Sequence, residues 1–197
     1  MKKITPNKYP INDLVKKRWS PRAFSETQVE EEKLASIFEA ARWAPSAFNE
    51  QPWRFIVGQK GSETYDKILK SLVEWNQQWA GKAAVLVLNI AANNFSHNGK
   101  TNTVAQYDLG QAVAFMLTEA VNQGLVSHEM SGFDAGVAAR LLQIPDNFQA
   151  VSVTAIGYYG DKNSLPDDML QSEMEERKRR SLNETVFVGN FGEASDY

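Results

Sequence analysis

Two arginines and a serine stand at alternate positions near the N-terminus, in the stretch Arg18-Trp19-Ser20-Pro21-Arg22. In an extended segment, alternate side chains point to the same side, so Arg18, Ser20 and Arg22 can face one ligand together. Guanidinium groups bind phosphate oxygens through paired hydrogen bonds, and a hydroxyl group adds a further bond. The spacing therefore suggests a phosphate site, and the alternative is a solvated basic helix end.

A second basic cluster, Arg177-Lys178-Arg179-Arg180, lies near the C-terminus, directly after Glu175 and Glu176. The acidic neighbours are typical of a charged surface helix, which is the simpler explanation. If this cluster and the N-terminal arginines converge in space, a doubly charged phosphate would fit between them. Neither cluster suggests nucleic-acid binding, because the net charge is -3 and no stacking aromatic motif surrounds them.

A short loop rich in hydrogen-bonding groups joins a predicted helix to a predicted strand. Pro45 ends the helix, and the chain continues as Ser46-Ala47-Phe48-Asn49-Glu50-Gln51-Pro52-Trp53. The hydroxyl, amide and backbone groups of Pro45, Ser46, Ala47 and Asn49 suit a planar ring with polar edges. The segment is either a ligand loop or a plain helix-to-strand connection.

Two further positions can contact such a ring. Asn76 lies in Glu74-Trp75-Asn76-Gln77-Gln78-Trp79, and the alternative for it is an exposed helix residue. Met130-Ser131-Gly132 precedes a predicted helix, where free N–H groups favour electron-rich partners. Gly132 allows a close backbone approach, and Asp134 is expected to stabilise the helix start.

The elements that position these residues are predicted from apolar periodicity and turn signals. Leu14 and Val15 are expected to face inward, and Ser25 or Thr27 to cap the second helix. Residues 93–103 read as an exposed loop and residues 125–132 as a connector of small residues. The predicted helices cover residues 11–18, 29–43, 65–75, 104–123 and 133–142 with one more after Pro166, and the predicted strands cover residues 53–58, 84–90 and 150–157.

Helices and strands interleave without a strict alternation, and no glycine-rich dinucleotide fingerprint follows any strand. This pattern argues against a Rossmann fold and favours a single α+β domain over residues 1–197. Near its end the chain carries an apolar segment, residues 185–191, after a highly charged stretch. That arm must either fold back onto its own sheet or reach a partner subunit.

The two motifs, Arg-Xaa-Ser-Xaa-Arg at residues 18–22 and Ala-Pro-Ser-Xaa-Xaa-Asn-Xaa-Gln-Pro-Trp at residues 44–53, together resemble the signature of the FMN-dependent nitroreductase family. The resemblance implies a mixed, mostly antiparallel sheet wrapped by helices, and a homodimer with exchanged C-terminal arms. It also implies one FMN at each subunit interface. Hydride would pass from NADH or NADPH through FMN to a nitroaromatic, quinone or similar acceptor by a ping-pong mechanism.

Matched position by position, the resemblance implies which residues contact FMN. The phosphate would be bound by the N-terminal trio and by Arg177 and Arg179. The ring would be contacted by Pro45, Ser46, Ala47, Asn49, Asn76, Met130, Ser131 and Gly132, with the Ser131 backbone N–H at the flavin N5. Since the cofactor carries the chemistry, no catalytic side chain is expected. The alternatives are another flavin reaction on this scaffold, such as dehalogenation or dehydrogenation, and a non-catalytic flavin-binding module.

The composition of the chain narrows the kinds of site, the partners and the cellular location that are possible. The chain has no cysteine, which excludes disulfides, thiol nucleophiles and cysteine-bound metals, and His97 and His128 lack metal-ligand spacing. No apolar run reaches the ~20 residues of a membrane span. Residues 1–10 contain no apolar signal-peptide core. We therefore expect a cytoplasmic protein without a metal, nucleic-acid or membrane partner.

Overall fold

The core of the fold is a four-stranded sheet in the order β1-β2-β4-β3. The computed structural model describes residues 3–196, so Met1, Lys2 and Tyr197 lie outside the described residues. All three strand pairings are antiparallel, which confirms the predicted α+β class. The strands are β1 (Trp53–Gln59), β2 (Val85–Ala92), β3 (Val126–Met130) and β4 (Phe148–Gly157).

Helices cover both faces of this sheet. They are α1 (Asp13–Lys17), α2 (Glu31–Arg42), α3 (Glu63–Ser71), α4 (Glu74–Ala80), α5 (Ala105–Asn122), α6 (Ala135–Leu142) and α7 (Asp167–Met174). Buried side chains of α2 and α5 form one apolar cluster, and those of α3, α4, α6 and α7 form a second. Among residues 3–196, no helix has the length and apolar character needed to cross a bilayer.

The apolar run predicted as a central strand forms β2, because both of its faces are covered. Val85 and Val87 point into the first cluster, whereas Leu86 and Leu88 point into the second. Successive side chains of a strand alternate between faces, so a strand between two helix layers must be apolar throughout. The exception is Asn89, which is buried and donates to hydroxyl groups of β4.

Residues 125–132, predicted as a connector, instead contain the edge strand β3. Its sequence, Val126-Ser127-His128-Glu129-Met130, is polar at three central positions and does not read as a strand. An edge strand pairs with only one neighbour, and backbone hydrogen bonds to β4 define it whatever its side chains are. The prediction failed because that pairing joins segments distant in sequence.

Three local predictions about the helices are also corrected. The helix predicted over residues 65–75 is broken between α3 and α4, since the Val73 N–H donates to the carbonyl of Gly132 at 3.1 Å. The start of α2 has no side-chain cap, because its N-cap residue is Glu30; Ser25 and Thr27 lie further upstream, where their hydroxyl groups bond each other. Val15 is half exposed rather than inward-facing.

The apolar C-terminal arm joins no strand of the sheet within the described residues. It closes a small turn through an isolated bridge between Phe187 and Ala194. Val188 is 60% exposed and Phe191 is 95% exposed, so this chain leaves the apolar side chains of the arm largely uncovered. The first of the two predicted arrangements, folding back onto its own sheet, is therefore wrong.

Candidate functional site

The two basic clusters meet at one surface cleft of about 300 Å³. Its lining combines a segment from each end of the chain. The predicted residues Arg18, Ser20, Arg22, Arg177 and Arg179 all line it, together with Lys3, Trp19, Ser172, Glu173, Glu175 and Glu176. The basic cluster at residues 177–180 lies in irregular chain after the end of α7, so the surface-helix alternative is wrong.

The N-terminal segment of the cleft is held from both sides through its backbone. On one side, Nδ1 of His128 in β3 lies 2.9 Å from the Pro21 carbonyl oxygen. On the other, the Glu173 carboxylate of α7 accepts the backbone N–H groups of Arg22 at 2.9 Å and Ala23 at 3.4 Å. These contacts leave the guanidinium groups themselves available to the cleft.

The His128 ring is partly buried, and its surroundings oppose protonation. Its centroid lies 4.5 Å from that of Trp79. Burial, together with the positive charges of Arg22 and Arg18, lowers the pKa of His128 to about 4, although its bond to Pro21 acts in the opposite direction. A neutral His128 therefore supports the arginine segment at neutral pH, as a hydrogen-bond donor to the Pro21 carbonyl.

The C-terminal arginines reach the cleft in different ways. Arg177 Nη1 donates to the carbonyl oxygens of Lys16 at 2.7 Å and Lys3 at 3.1 Å, which fastens its segment to the N-terminal chain. Arg179 Nη1 donates only to the neighbouring Lys178 carbonyl, at 2.7 Å. Arg177 is thus partly structural, whereas the Arg179 guanidinium forms no hydrogen bond or ion pair with a distant part of residues 3–196.

The electrostatics of the cleft favour an anion. Burial lowers the pKa of the Arg18 guanidinium, and repulsion from the positive charge of Arg179 lowers it further. The pKa of Arg177 is lowered in the same way, by burial and by the charges of Arg18 and Arg179. Within residues 3–196, no carboxylate forms an ion pair with the guanidinium groups of these three residues or of Arg22. In addition, the buried Nε of Arg22 finds no hydrogen-bond partner in the described part of the chain. A bound phosphate would relieve this repulsion and supply the missing acceptors.

The turn after α2 is built around two internal hydrogen bonds. The Ser46 hydroxyl accepts the Gln51 N–H at 3.0 Å, and the Ala47 N–H donates to the buried carboxylate of Asp108 at 3.0 Å. Phe48 and Asn49 have φ values of 55° and 54°, in the left-handed region that non-glycine residues seldom adopt. Such strain is typical of functional turns, which favours the ligand-loop interpretation over a plain connection.

The loop at residues 93–103 packs against this turn. The Ser96 N–H donates to Glu50 Oε1 at 2.8 Å, and the rings of Phe95 and His97 lie 5.8 and 5.7 Å from that of Phe48. Phe48 nevertheless remains 83% exposed. Because the loop packs on the exposed Phe48 ring beside the strained turn, its residues can contact a ligand that approaches the turn.

The remaining predicted residues lie together where β3 ends and α6 begins. Asn76 Nδ2 donates to the Gly132 carbonyl at 2.9 Å, and a Cβ at Gly132 would lie only 2.6 Å from that nitrogen. The side chain of Met130 is buried in the second core cluster, so only its backbone can contact a ligand. Asp134 caps α6 by accepting the Val137 N–H at 2.8 Å, as predicted.

One chain does not bring all these groups to a single point. The strained turn leads into β1 at one edge of the sheet, whereas Ser131 follows β3, the other edge strand, whose His128 contacts the arginine segment. Three inter-strand steps of about 4.8 Å, or about 14 Å, separate the two edges. Within residues 3–196, no cluster of three or more histidine or acidic side chains could hold a metal ion.

Comparisons with known proteins agree with this architecture. A model of the nitroreductase family matches residues 15–158, which is more than half of the chain. The chain belongs to the nitroreductase family. A solved structure described as an oxidoreductase containing FMN superposes with a TM-score of 0.90 at 38% identity, over 95% of this chain and 96% of that one. The nitroreductase family thus accounts for both the α+β fold and the two sequence motifs.

Relatives of this nitroreductase-family chain include proteins of different description. A 15.4 kDa protein of Mycolicibacterium smegmatis is 31% identical over 71% of this chain and 97% of its own length. Iodotyrosine deiodinase 1 of Sus scrofa is 26% identical over 79% of this chain. The alignment covers 63% of the pig protein, so that relative extends well beyond the shared region.

Sequence reasoning missed the acidic residues that organise the site. Glu173 holds the arginine segment, Asp108 holds the turn after α2, and Glu50 holds the loop at residues 93–103. One signal was present in the sequence: Glu173 stands four residues after Met169 on α7, so both occupy the buried face of that helix. An acidic residue at an apolar position indicates a buried partner.

Proposed function

We propose that this chain is a single FMN-binding domain over residues 1–197 and a flavoprotein oxidoreductase that works as a homodimer. The observation that carries the proposal is the convergence of Arg18, Arg22 and Arg179 on one cleft, where none of them forms an ion pair with a carboxylate of residues 3–196. When bound, FMN supplies hydride transfer, from NADH or NADPH to a nitroaromatic, quinone or similar acceptor, in a ping-pong sequence.

The cleft fits the phosphate of FMN in charge and in hydrogen-bonding groups. Ser20 adds a hydroxyl group 3.3 Å from Arg18 Nη1, and the buried Arg22 Nε needs an acceptor. Arg177 completes the phosphate site and holds its segment in place at the same time. Concentrated positive charge of this kind would bind the doubly charged phosphate of FMN far more tightly than the uncharged end of riboflavin.

The flavin ring would be held by two subunits. Asn76, Met130, Ser131 and Gly132 would hold it from the subunit whose arginines bind the phosphate. Pro45, Ser46, Ala47 and Asn49, which lie at the other edge of the sheet, would come from the partner. The exposed apolar arm supports a dimer as well, because Val188 and Phe191 need a surface to cover them.

The protein residues act by binding and orientation rather than by acid–base chemistry. The His128 ring, with its lowered pKa, is committed to Pro21 and to packing on Trp79. Arginine side chains near the phosphate, together with the backbone N–H of Ser131, favour an electron-rich reduced ring electrostatically. Phe48 and the loop at residues 93–103 would shape the space for the acceptor.

The absorbance spectrum of the purified protein tests this proposal. We expect a flavin spectrum that bleaches with NADPH without oxygen and returns on addition of a nitroaromatic. Arg22→Ala should weaken FMN binding by about 10- to 100-fold, which corresponds to loss of a charge-assisted hydrogen bond. Arg42→Ala, which removes an exposed arginine paired with Glu39, is the matched control and should bind FMN normally. A protein that takes up no FMN would refute the proposal.

A second candidate reaction is reductive dehalogenation, because iodotyrosine deiodinase 1 is among the relatives. The same phosphate cleft would serve it, and the loop at residues 93–103 would cover the acceptor. In that case the protein would bind FMN and turn over a halogenated aromatic, with little activity on nitroaromatics. Bound FMN that NADPH and NADH both fail to reduce would instead indicate a non-catalytic flavin-binding module.

A further inference from the structure

Three carboxylate residues line the arginine cleft, and Glu173 is the buried one, whereas Glu175 and Glu176 are exposed. Glu173 is 1% exposed and stands next to the last residue of α7. Each of its two carboxylate oxygens accepts a backbone N–H, Oε2 from Arg22 and Oε1 from Ala23. Both bonds cross from one end of the chain to the other, so Glu173 is a link between segments about 150 residues apart.

The position of this link determines how the basic clusters meet. The chain leaves α7 after Met174, one residue past Glu173, and reaches Arg177 three residues later. Three further bonds tie the same segment to the N-terminal chain: Arg177 donates to the carbonyls of Lys16 and Lys3, and Lys3 Nζ donates to the Glu175 carbonyl at 2.6 Å. Of these links, only that of Glu173 holds the backbone of the arginine motif itself.

We propose that Glu173 is a positioning residue for the phosphate site: it docks the C-terminal segment, residues 175–183, against the Arg18–Arg22 segment so that arginines from both can bind one phosphate. It follows that phosphate binding and docking of this segment stabilise each other, since linkage between two equilibria is reciprocal. The inference rests on the proposed function for the identity of the phosphate, which is that of FMN.

Charge and positioning predict opposite effects of removing Glu173 on FMN binding, so an experiment can separate them. A carboxylate near a phosphate repels it, so removing the Glu173 charge would tighten FMN binding if charge were its only contribution. If Glu173 positions the backbone, removing it leaves two N–H groups without acceptors and lets the arginine clusters separate. FMN binding would then weaken although a negative charge has been lost.

The first test compares the affinities of apoprotein variants for FMN and for riboflavin, measured by flavin fluorescence. We expect Glu173→Ala to weaken FMN binding by about 10- to 100-fold, the factor for a charge-assisted hydrogen bond, with little change for riboflavin. Glu173→Gln, which keeps one acceptor oxygen, should weaken it less. Glu176→Ala removes a carboxylate from the same cleft that makes no backbone tie, and it should not weaken FMN binding.

The FMN-to-riboflavin ratio separates positioning from general damage to the fold, because a destabilised protein would lose affinity for both ligands. Tighter or unchanged FMN binding by Glu173→Gln and Glu173→Ala would overturn the inference. So would an equal loss of affinity for FMN and riboflavin. Glu173→Gln keeps the test available if the alanine variant does not fold.

The second test needs no FMN. Limited trypsin digestion of the apoprotein reports whether the C-terminal segment is docked, through cleavage after Arg179 and Arg180. We expect Glu173→Ala and Glu173→Gln to be cut there several times faster than the wild type and Glu176→Ala. Equal rates would overturn the inference. If the wild type binds no FMN the proposed function fails, yet these cleavage rates still decide whether Glu173 docks the segment.

Discussion

His128 should make the stability of the protein fall in mild acid by a predictable amount. In the unfolded chain this histidine takes up a proton below its ordinary pKa of 6.5, whereas in the folded protein it does so only below about 4. Between these values the unfolded state binds more protons, so the free energy of unfolding falls as the pH is lowered through this window. Below about pH 4 the contribution of His128 changes no further.

The expected size follows from the pKa difference. Each pKa unit is equivalent to about 1.4 kcal/mol, so protonation of His128 can lower the free energy of unfolding by about 3 kcal/mol at most. Carboxylates also titrate in this range, and a variant is needed to isolate the histidine. His128→Gln removes the titrating group and keeps a side-chain N–H for the Pro21 carbonyl. It should lose about 2 to 3 kcal/mol less than the wild type between pH 7 and pH 4.5.

Urea unfolding of the apoprotein at several pH values provides the measurement. The matched control is His97→Gln, which removes one histidine from the exposed loop and leaves His128 in place, so it should retain the acid sensitivity that His128 causes. A His128→Gln variant that loses as much stability as the wild type between pH 7 and pH 4.5 would refute the reasoning. It would mean that the folded protein accommodates a charged ring beneath the arginine segment.

Three further predictions concern the turn, the glycine beside Asn76 and the terminal arm. Asp108→Ala leaves the Ala47 N–H without its acceptor, so urea unfolding should show a loss of about 1 to 3 kcal/mol, and an unchanged midpoint would contradict this role. Gly132→Ala places a Cβ 2.6 Å from Asn76 Nδ2 and should displace that side chain. Flavin fluorescence should then show riboflavin and FMN binding weakened alike, by about tenfold, whereas an arginine variant would affect only FMN. Truncation after Glu184 should convert dimers to monomers in size-exclusion chromatography; a truncated protein that stays dimeric would show that the arm is dispensable for assembly.

Several parts of the fold could be predicted because their signals are local. The apolar run of β2 requires burial on both faces, and the spacing of Leu34, Ile37 and Ala41 defines the buried face of α2. Pro45 marks the end of that helix, and Asp134 caps α6 as its position suggested. Each of these features depends on neighbours within a few residues.

Other parts depended on distant segments and were mispredicted. β3 has a polar sequence and exists because β4 offers its backbone groups. The break between α3 and α4 depends on Gly132, which lies 59 positions after Val73 and pairs with it through the backbone. Local periodicity carries no information about such partners, since a backbone hydrogen bond is independent of the side chains involved.

By itself the sequence determined which groups could bind a phosphate and a polar-edged ring, and which family the motifs resemble. Alternate spacing in an extended segment is a local property, so Arg18 and Arg22 could be paired without a structure. Only the tertiary structure decided that the arginines from both ends of the chain share one cleft, that buried Glu173 ties their segments together, and that the turn at residues 45–49 lies at the opposite edge of the sheet. The physical reason is that convergence depends on packing and strand order between segments far apart in sequence, which no local pattern specifies.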